Sequence, residues 1–349
     1  MNEQNQHAVT VHQPEVIDVP AQDTRSDALI LNGDAMERPF ARRIFVMDRA
    51  PFAHGIVHDL DIETYHAMPS ISNSQLNDLA LSPRHFYALN RDPHRPARTE
   101  KSGQLEGNLA HCAILEPDEF SSRYVVIPKQ APKRPTEAQW NAEKPSKASK
   151  EAMDWWTDFN ARNEGKRVIS IYQYDTAWRQ AESVRALGEV GDMLRKGSAE
   201  VSAFWVDPTT GVECRCRPDF VHPLSSSSVA ILDVKTFSRA SAEEFCRQVA
   251  RKRYFQQDAF YSAGYSAASN MTVEDFQFIA VETEYPFAAA SYRLSPASRE
   301  EGFSECRRLL DTYEECVRTS NWPSYSTRTT EIELPPYAFS SQEVEISYV

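Results

Sequence analysis

The spacing of apolar positions changes repeatedly along the chain, and each change predicts an element. Ser72-Asn-Ser-Gln-Leu-Asn-Asp-Leu reads as an N-capped helix, and Ser82-Pro83 opens another. A helix is expected over Glu106–Leu115, and a longer amphipathic one from Asp175 to Arg195. The latter carries Ala177, Ala181, Val184, Leu187 and Leu194 along one stripe, with Gly197 as its stop. The period then drops to two. Val201–Val206, a turn at Pro208-Thr-Thr-Gly211, and the run from Val212 onward read as a hairpin. Between Val212 and Val221 one face holds Glu213, Arg215, Arg217 and Asp219, the other Val212, Cys214, Cys216 and Phe220. After the loop Pro223-Leu-Ser-Ser-Ser-Ser228, Val229–Leu232 is a short apolar run that ends in Asp233-Val-Lys-Thr, a buried strand closing on polar groups. Ala240–Ala267 follows as one long helix with Ser241 at its N-cap. Strands Phe276–Thr283 and Ala288–Leu294 and a closing helix Pro296–Arg318 come last. Helices, a three-strand meander, a crossover helix, two strands and a helix predict an α/β (α+β) core with a central mixed β-sheet flanked by helices.

Outside this core, residues 1–55 carry no sustained period and are expected to be a flexible N-terminal arm. Residues 129–150, rich in Lys, Pro, Ala and Glu, predict an exposed basic excursion from a domain spanning 56–325, and 326–349 a C-terminal tail.

The chemistry concentrates between Arg217 and Tyr261. If the serine run centres a hairpin near position 226, Asp219 falls opposite Asp233, and Cβ atoms so placed lie roughly 4.5–5.5 Å apart. Like charges that close need a cation between them, and hard oxygen donors suit Mg²⁺, with Mn²⁺ able to substitute. Lys235 shares a strand face with Asp233, placed to orient a water or to stabilise charge on a phosphate. Gln257 and Tyr261 are four apart and share a helix face. Arg247, Arg251, Lys252 and Arg253 make the same helix locally basic, which suits a phosphate backbone. Taken singly, an Asp-x-Lys is usually structural, a helical Tyr is usually core, and a basic run is usually a solvated face. The ordered set with a second Asp in register is what raises the reading above coincidence.

Asp219…Asp233-Val-Lys235 resembles the PD-(D/E)XK nuclease motif, and Gln257-x-x-x-Tyr261 resembles the helix motif of its exonuclease branches. More closely, the chain is similar to the nuclease domain of the exodeoxyribonuclease VIII (RecE-type) family from about Ile56 to about Tyr325. The supporting stretches are Tyr65-His-Ala-Met-Pro-Ser-Ile-Ser-Asn-Ser74, Leu81-Ser-Pro-Arg-His-Phe86, Gly107-Asn-Leu-Ala-His111 through Glu116-Pro-Asp-Glu-Phe120, and Phe278-Ile-Ala-Val-Glu-Thr283 leading to Pro286. The resemblance implies a restriction-endonuclease-like fold with His111, Asp219, Asp233 and the Val234 carbonyl as metal donors. Lys235 would position the attacking water, and Gln257 and Tyr261 would steady the lysine or the DNA. Many relatives carry Glu where this chain has Asp233. Without the resemblance His111 reads as a hydrogen-bonded core histidine. Glu106, Glu116 and Glu200 are candidate further carboxylates of the site, with the structural reading ahead of the functional one.

The formal net charge of −12 and pI near 5.3 argue against a generic nucleic-acid coat protein. A nuclease that confines its cations to one channel remains compatible with them. Six cysteines are too few for a disulfide framework in 349 residues. The late cysteine trio that holds an iron–sulfur cluster in some relatives is missing. No stretch approaches about 18 consecutive apolar residues, and no charged-then-apolar leader is visible, so a cytoplasmic protein without membrane contact is expected.

These features together predict a Mg²⁺-dependent exonuclease: water attacks phosphorus in line, with no covalent intermediate. From the resemblance alone come 5′→3′ polarity, ends of linear double-stranded DNA, a ring-like homo-oligomer, a single-strand-annealing recombinase partner and a recombination role, often prophage-encoded. A PD-(D/E)XK endonuclease, a non-catalytic DNA-binding scaffold on a decayed nuclease fold, and a hydrolase of small phosphoesters are the competing readings.

Overall fold

The computed structural model describes residues 54–335, except 97, 98, 100, 101 and 327, all within one compact unit, Met47–Val349. The expected N-terminal arm and most of the C-terminal tail lie outside the described residues.

Strand β1 (Gly55–Val57) leads into helices α1 (Ile62–Ala67), α2 (Asn73–Leu81), α3 (Pro83–Asn90) and α4 (Gln104–Leu115). At α2 the Ser72 and Gln75 side chains exchange bonds with each other's backbone in a capping box. Residues 116–200 form a largely helical layer. It contains α5 (Phe120–Arg123), β2 (Tyr124–Val126), α6 (Glu137–Trp140), α7 (Lys147–Arg162), β3 (Arg167–Ile169), α8 (Ile171–Arg185), α9 (Gly188–Met193) and β4 (Ser198–Ala199). The predicted excursion over 129–150 is mostly exposed but holds α6 and the first turn of α7, and α7 buries Trp156 and Phe159. The single helix expected over Asp175–Arg195 is two, α8 and α9, parted at Leu187, whose backbone is extended.

Then come β5 (Ser202–Val206), β6 (Glu213–Cys216), β7 (Phe220–Pro223) and β8 (Ser228–Phe237). They are followed by α10 (Ala242–Lys252), α11 (Tyr254–Ser269), β9 (Thr272–Glu282), β10 (Ala289–Tyr292) and α12 (Pro296–Thr319). The main sheet runs β10-β9-β8-β7-β4, with β8 and β9 parallel and the other pairs antiparallel. This is the mixed sheet that the α10–α11 crossover requires. Central β8 is buried from Ser228 to Val234. Leu232 and Val234 face a core shared with Leu109, Ala113, Ala177 and Ala181 of α4 and α8, while Val229 and Ile231 face Phe245, Ala259 and Phe260 of α10 and α11. Each such Leu, Ile or Phe removed from water stabilises by about 1.5–3 kcal/mol.

Two expectations are corrected. The meander does not stay in one sheet: β5 and β6 pair with β1 in a separate three-stranded sheet. The single helix over Ala240–Ala267 is broken at Arg253, which adopts φ 59° and ψ 39° between α10 and α11. That left-handed residue ends α10 and lets α11 turn its own face to the sheet.

α11 packs against α12 at close range. A Cβ on Gly302 would stand 2.2 Å from the Phe255 carbonyl oxygen, a backbone atom that cannot move aside. Gly302→Ala is expected to cost about 1–3 kcal/mol, read as a lower urea-unfolding midpoint with unchanged far-UV spectrum.

At the same interface Asp258 is fully buried, 3.4 Å from Arg299 Nε and accepting from Ser262 Oγ at 3.1 Å. Burial pushes its carboxyl up to about 6 despite Arg299. A folded-state pKa above the unfolded one means stability is lost as pH climbs between the two. Asp258→Asn should therefore gain on the wild type between pH 4 and pH 7 in urea unfolding. A constant gap would refute the shift.

Candidate functional site

The site forms where a β-ribbon bends. β4 opposes β7 with Ala199 facing Phe220, and β5 opposes β6 with Ala203 facing Cys216, so one register runs through both pairs. Between them Glu200 adopts φ 51°, and Arg217-Pro218-Asp219 leaves the ladder. Pro218 has no N–H to give a neighbouring strand, and a left-handed non-glycine residue is an uncommon conformation that re-aims its side chain. Glu200 N–H donates to the Asp219 carbonyl at 2.9 Å across the bend. The bend moves the chain from one sheet to the other and turns Glu200 and Asp219 together.

On the other side of β7 the hairpin register pairs Phe220 with Leu232 and Pro223 with Val229. One step further back Asp219 falls opposite Asp233, as the serine-centred hairpin predicts. Asp219 Oδ2 accepts the Val234 N–H at 2.8 Å. Asp233 is fully buried, and its Oδ1 accepts from Gln257 Nε2 at 2.6 Å. Its Oδ2 makes no well-directed hydrogen bond and meets only the Lys235 ammonium, in an ion pair. Burial raises both carboxyls above the usual range, Asp233 to about 6, with Lys235 opposing the rise in each. Lys235 itself is held well above its ordinary value because the Asp233 and Asp219 charges outweigh its own burial. Its Nζ lies 5.1 Å from the centre of the Tyr254 ring. That favours the ammonium form, a hydrogen-bond donor.

His111 approaches from α4, its Nδ1 3.5 Å from Asp219 Oδ2 and its side chain 30% exposed. Burial first, then the Lys235 charge, lower it to about 4, while a hydrogen bond with the Val234 backbone pulls the other way. A neutral imidazole is the form that ligates a metal. Ligand atoms of His111, Glu200 and Asp219 lie within 4.8 Å of one another. Glu200 is pushed up to about 7 by burial and by Asp219, against the Arg217 guanidinium 2.9 Å away. Three acidic groups and an imidazole, with Asp233 Oδ2 lacking a hydrogen bond, fit a divalent cation of the hard-to-borderline class.

The structure thus brings His111, Asp219, Asp233, Val234, Lys235 and Gln257 together. Gln257 reaches Asp233, whereas the expectation had it steadying the lysine or the DNA. The Val234 backbone is engaged by Asp219 and His111. Tyr261 lies one turn after Gln257, half-buried, its hydroxyl pushed far up by burial and by nearby Tyr65. Of the four expected DNA cations, Arg247 pairs with Glu243 and Glu244. Arg253 is tied to Glu305 and Gln256 because the break at residue 253 turns it inward. Arg251 and Lys252 are exposed and make no ion pair among the described residues. Glu116 pairs with Arg123, and Glu106 accepts from Gln173. Sequence reasoning weighed Glu200 as a further carboxylate but read it as structural, and it missed Tyr254.

If these residues hold a divalent ion, millimolar Mn²⁺ should raise the wild-type melting temperature by on the order of 5 °C and leave Asp219→Ala unmoved. A wild type indifferent to Mn²⁺ would sink the metal assignment.

Comparison with known proteins adds the family. Among solved structures, the fold is similar to one from Eubacterium rectale described as a "Putative exonuclease", at 11% identity and a TM-score of 0.45 over 80% of this chain and 97% of that one. It is also similar to SSO0001, at 12% identity and a TM-score of 0.24 over 45% of this chain and 69% of that one. No curated protein sequence matches it significantly. No helix among the described residues is long and apolar enough to cross a membrane. Residues 72–334, well over half the chain, match the PDDEXK-like domain of unknown function DUF3799, and the chain belongs to that family.

Proposed function

We propose that this PD-(D/E)XK nuclease domain is a Mg²⁺-dependent exodeoxyribonuclease that hydrolyses one strand of linear double-stranded DNA from its end, 5′→3′. The observation that carries the nuclease chemistry is half-buried Asp219 beside fully buried Asp233 at the end of the β7–β8 hairpin, with the Lys235 ammonium against one carboxylate and His111 and Glu200 beside the other. His111, Glu200 and Asp219, with Asp233 adjoining, would hold the ion. A bound Mg²⁺ lowers the pKa of water and neutralises charge on the phosphate.

The remaining work falls to the chain. Lys235, held toward its ammonium form by the Asp233 and Asp219 charges, donates to the attacking water or to a non-bridging phosphate oxygen and stabilises the charge that builds there. Gln257 fixes the plane of Asp233, so the lysine finds its partner in one orientation. The Tyr254 ring, 5.1 Å from the ammonium, shields it from bulk water. Arg251 and Lys252, at the end of α10 just before Tyr254, meet the DNA backbone. Tyr261, one helical turn beyond Gln257, is a further wall of the site. Residues 56–325 are the catalytic domain. The exonuclease mode, 5′→3′ polarity, a ring-like oligomer and a single-strand-annealing recombinase partner rest on the sequence likeness to the exodeoxyribonuclease VIII family.

End-labelled linear duplex with Mg²⁺ tests the proposal. Wild type should release the 5′ label first and leave covalently closed circles intact, and Lys235→Ala should be slower by about 10²–10³-fold. Cutting of closed circles would replace the exonuclease by an endonuclease on the same site. Full activity in Lys235→Ala would remove the site itself.

A further inference from the structure

Arg217 lies at the bend of the ribbon, next to the site without belonging to the donor set. Its Nε donates to Glu200 Oε2 at 2.9 Å, and its Nη1 donates to the Leu60 carbonyl at 2.8 Å and reaches Ser202 Oγ at 3.5 Å. The guanidinium sits 5.6 Å from the centre of the Tyr65 ring, and Arg215, two residues back on the same strand face, sits 5.2 Å from it. Tyr65 is buried and comes from α1, so one ring is stacked by two cations. Arg215 is committed elsewhere, to the Met68 and Ser70 carbonyls. Only Arg217 turns toward the carboxylates.

Glu200 needs such a restraint. Its backbone is left-handed, its side chain is 28% exposed, and Arg217 is the one cation it pairs with among the described residues. A carboxylate with one oxygen fixed by a planar, multiply anchored donor presents the other in a defined direction.

We propose that Arg217 is a positioning residue that holds Glu200 in the metal-binding arrangement with His111 and Asp219, and that Tyr65 and the Leu60 carbonyl hold Arg217 in turn. This gives a role to the Tyr65 segment, which touches none of the donors. The inference rests on the divalent-metal reading of the site. Outer partners of metal ligands characteristically change affinity by about 10–100-fold when lost.

The test is Mn²⁺ binding to the full chain without DNA, followed by electron paramagnetic resonance of free Mn²⁺. Arg217→Met should weaken binding by about 10-fold or more while circular dichroism and the metal-free melting temperature show a folded protein. Arg217→Lys, which keeps the charge but not the fork, should recover part of the loss, and Tyr65→Phe, which keeps the ring, should bind nearly as wild type. In the double variant Arg217→Met/Glu200→Gln, binding should be no weaker than in Glu200→Gln alone, because both changes remove one interaction. Additive losses, or wild-type affinity in a folded Arg217→Met, would overturn the role of Arg217. Absence of Mn²⁺ binding by the wild type would instead overturn the metal reading beneath it. If Arg217→Met is unfolded, the Glu200→Gln and Arg217→Lys pair decides: equal wild-type affinity in both overturns the inference, and a weakened Glu200→Gln with an intermediate Arg217→Lys upholds it.

Discussion

Two acids that would avoid each other are brought together at the end of a hairpin. Asp219 and Asp233 sit opposite because every pair from Phe220–Leu232 to Pro223–Val229 is in register, and that register is fixed by the apolar side chains each strand buries. Slipping by one residue would carry Ile231 and Leu232 to the wrong faces. The protein therefore cannot relieve the repulsion without losing its core. Burial, before any repulsion, raises both carboxyls above the usual range, and the Asp219 charge adds to the rise in Asp233.

The surrounding groups follow from this constraint. Lys235 reaches Asp233 because side chains two apart on β8 share a face, and Gln257 meets Asp233 because α11 packs on that face. Asp219 takes the Val234 N–H because the bend at Pro218 has freed its side chain from the ladder. His111 enters from α4, which packs on the opposite face of β8, so the site draws on both helical layers. A rigid parallel pair, β8 with β9, lies under all of it. Placing the donors on strands and packed helices restrains their geometry more tightly than loops would.

The parts readable from sequence are those set by local rules. The Asp219–Asp233 pairing came from a turn of serines and a count of residues, the α2 cap from Ser72 and Gln75, and the closing helix from its period. Breaks inside continuous patterns were not readable. The period from Ala240 to Ala267 gives no warning that Arg253 turns left-handed, because an arginine there has no intrinsic preference for that conformation and tertiary packing decides it. The same holds for the division of Asp175–Arg195 at Leu187. Helix α7 escaped notice because its apolar side is narrow, chiefly Trp156 and Phe159.

Glu200 is the instructive miss. The hairpin with its turn at 207–211 was foreseen, and running its register back from Val206–Glu213 through Ala203–Cys216 brings Glu200 opposite Asp219. What the strand pattern does not carry is the bend that turns the two side chains together. In a flat ribbon, two carboxylates directly opposed are a defect, and Glu200 reads as misplaced. The bend gathers the acids instead of leaving them in a ladder, because the positive φ and the neighbouring proline end the pairing where they meet. Asp219 thus faces one carboxylate on each side, Glu200 across the first hairpin and Asp233 across the second. Such an arrangement has no explanation in stability, since each added acid raises the cost of the others. On the divalent-metal reading proposed above, positive charge from outside the chain completes it, with Lys235 and Arg217 supplying the remainder from within.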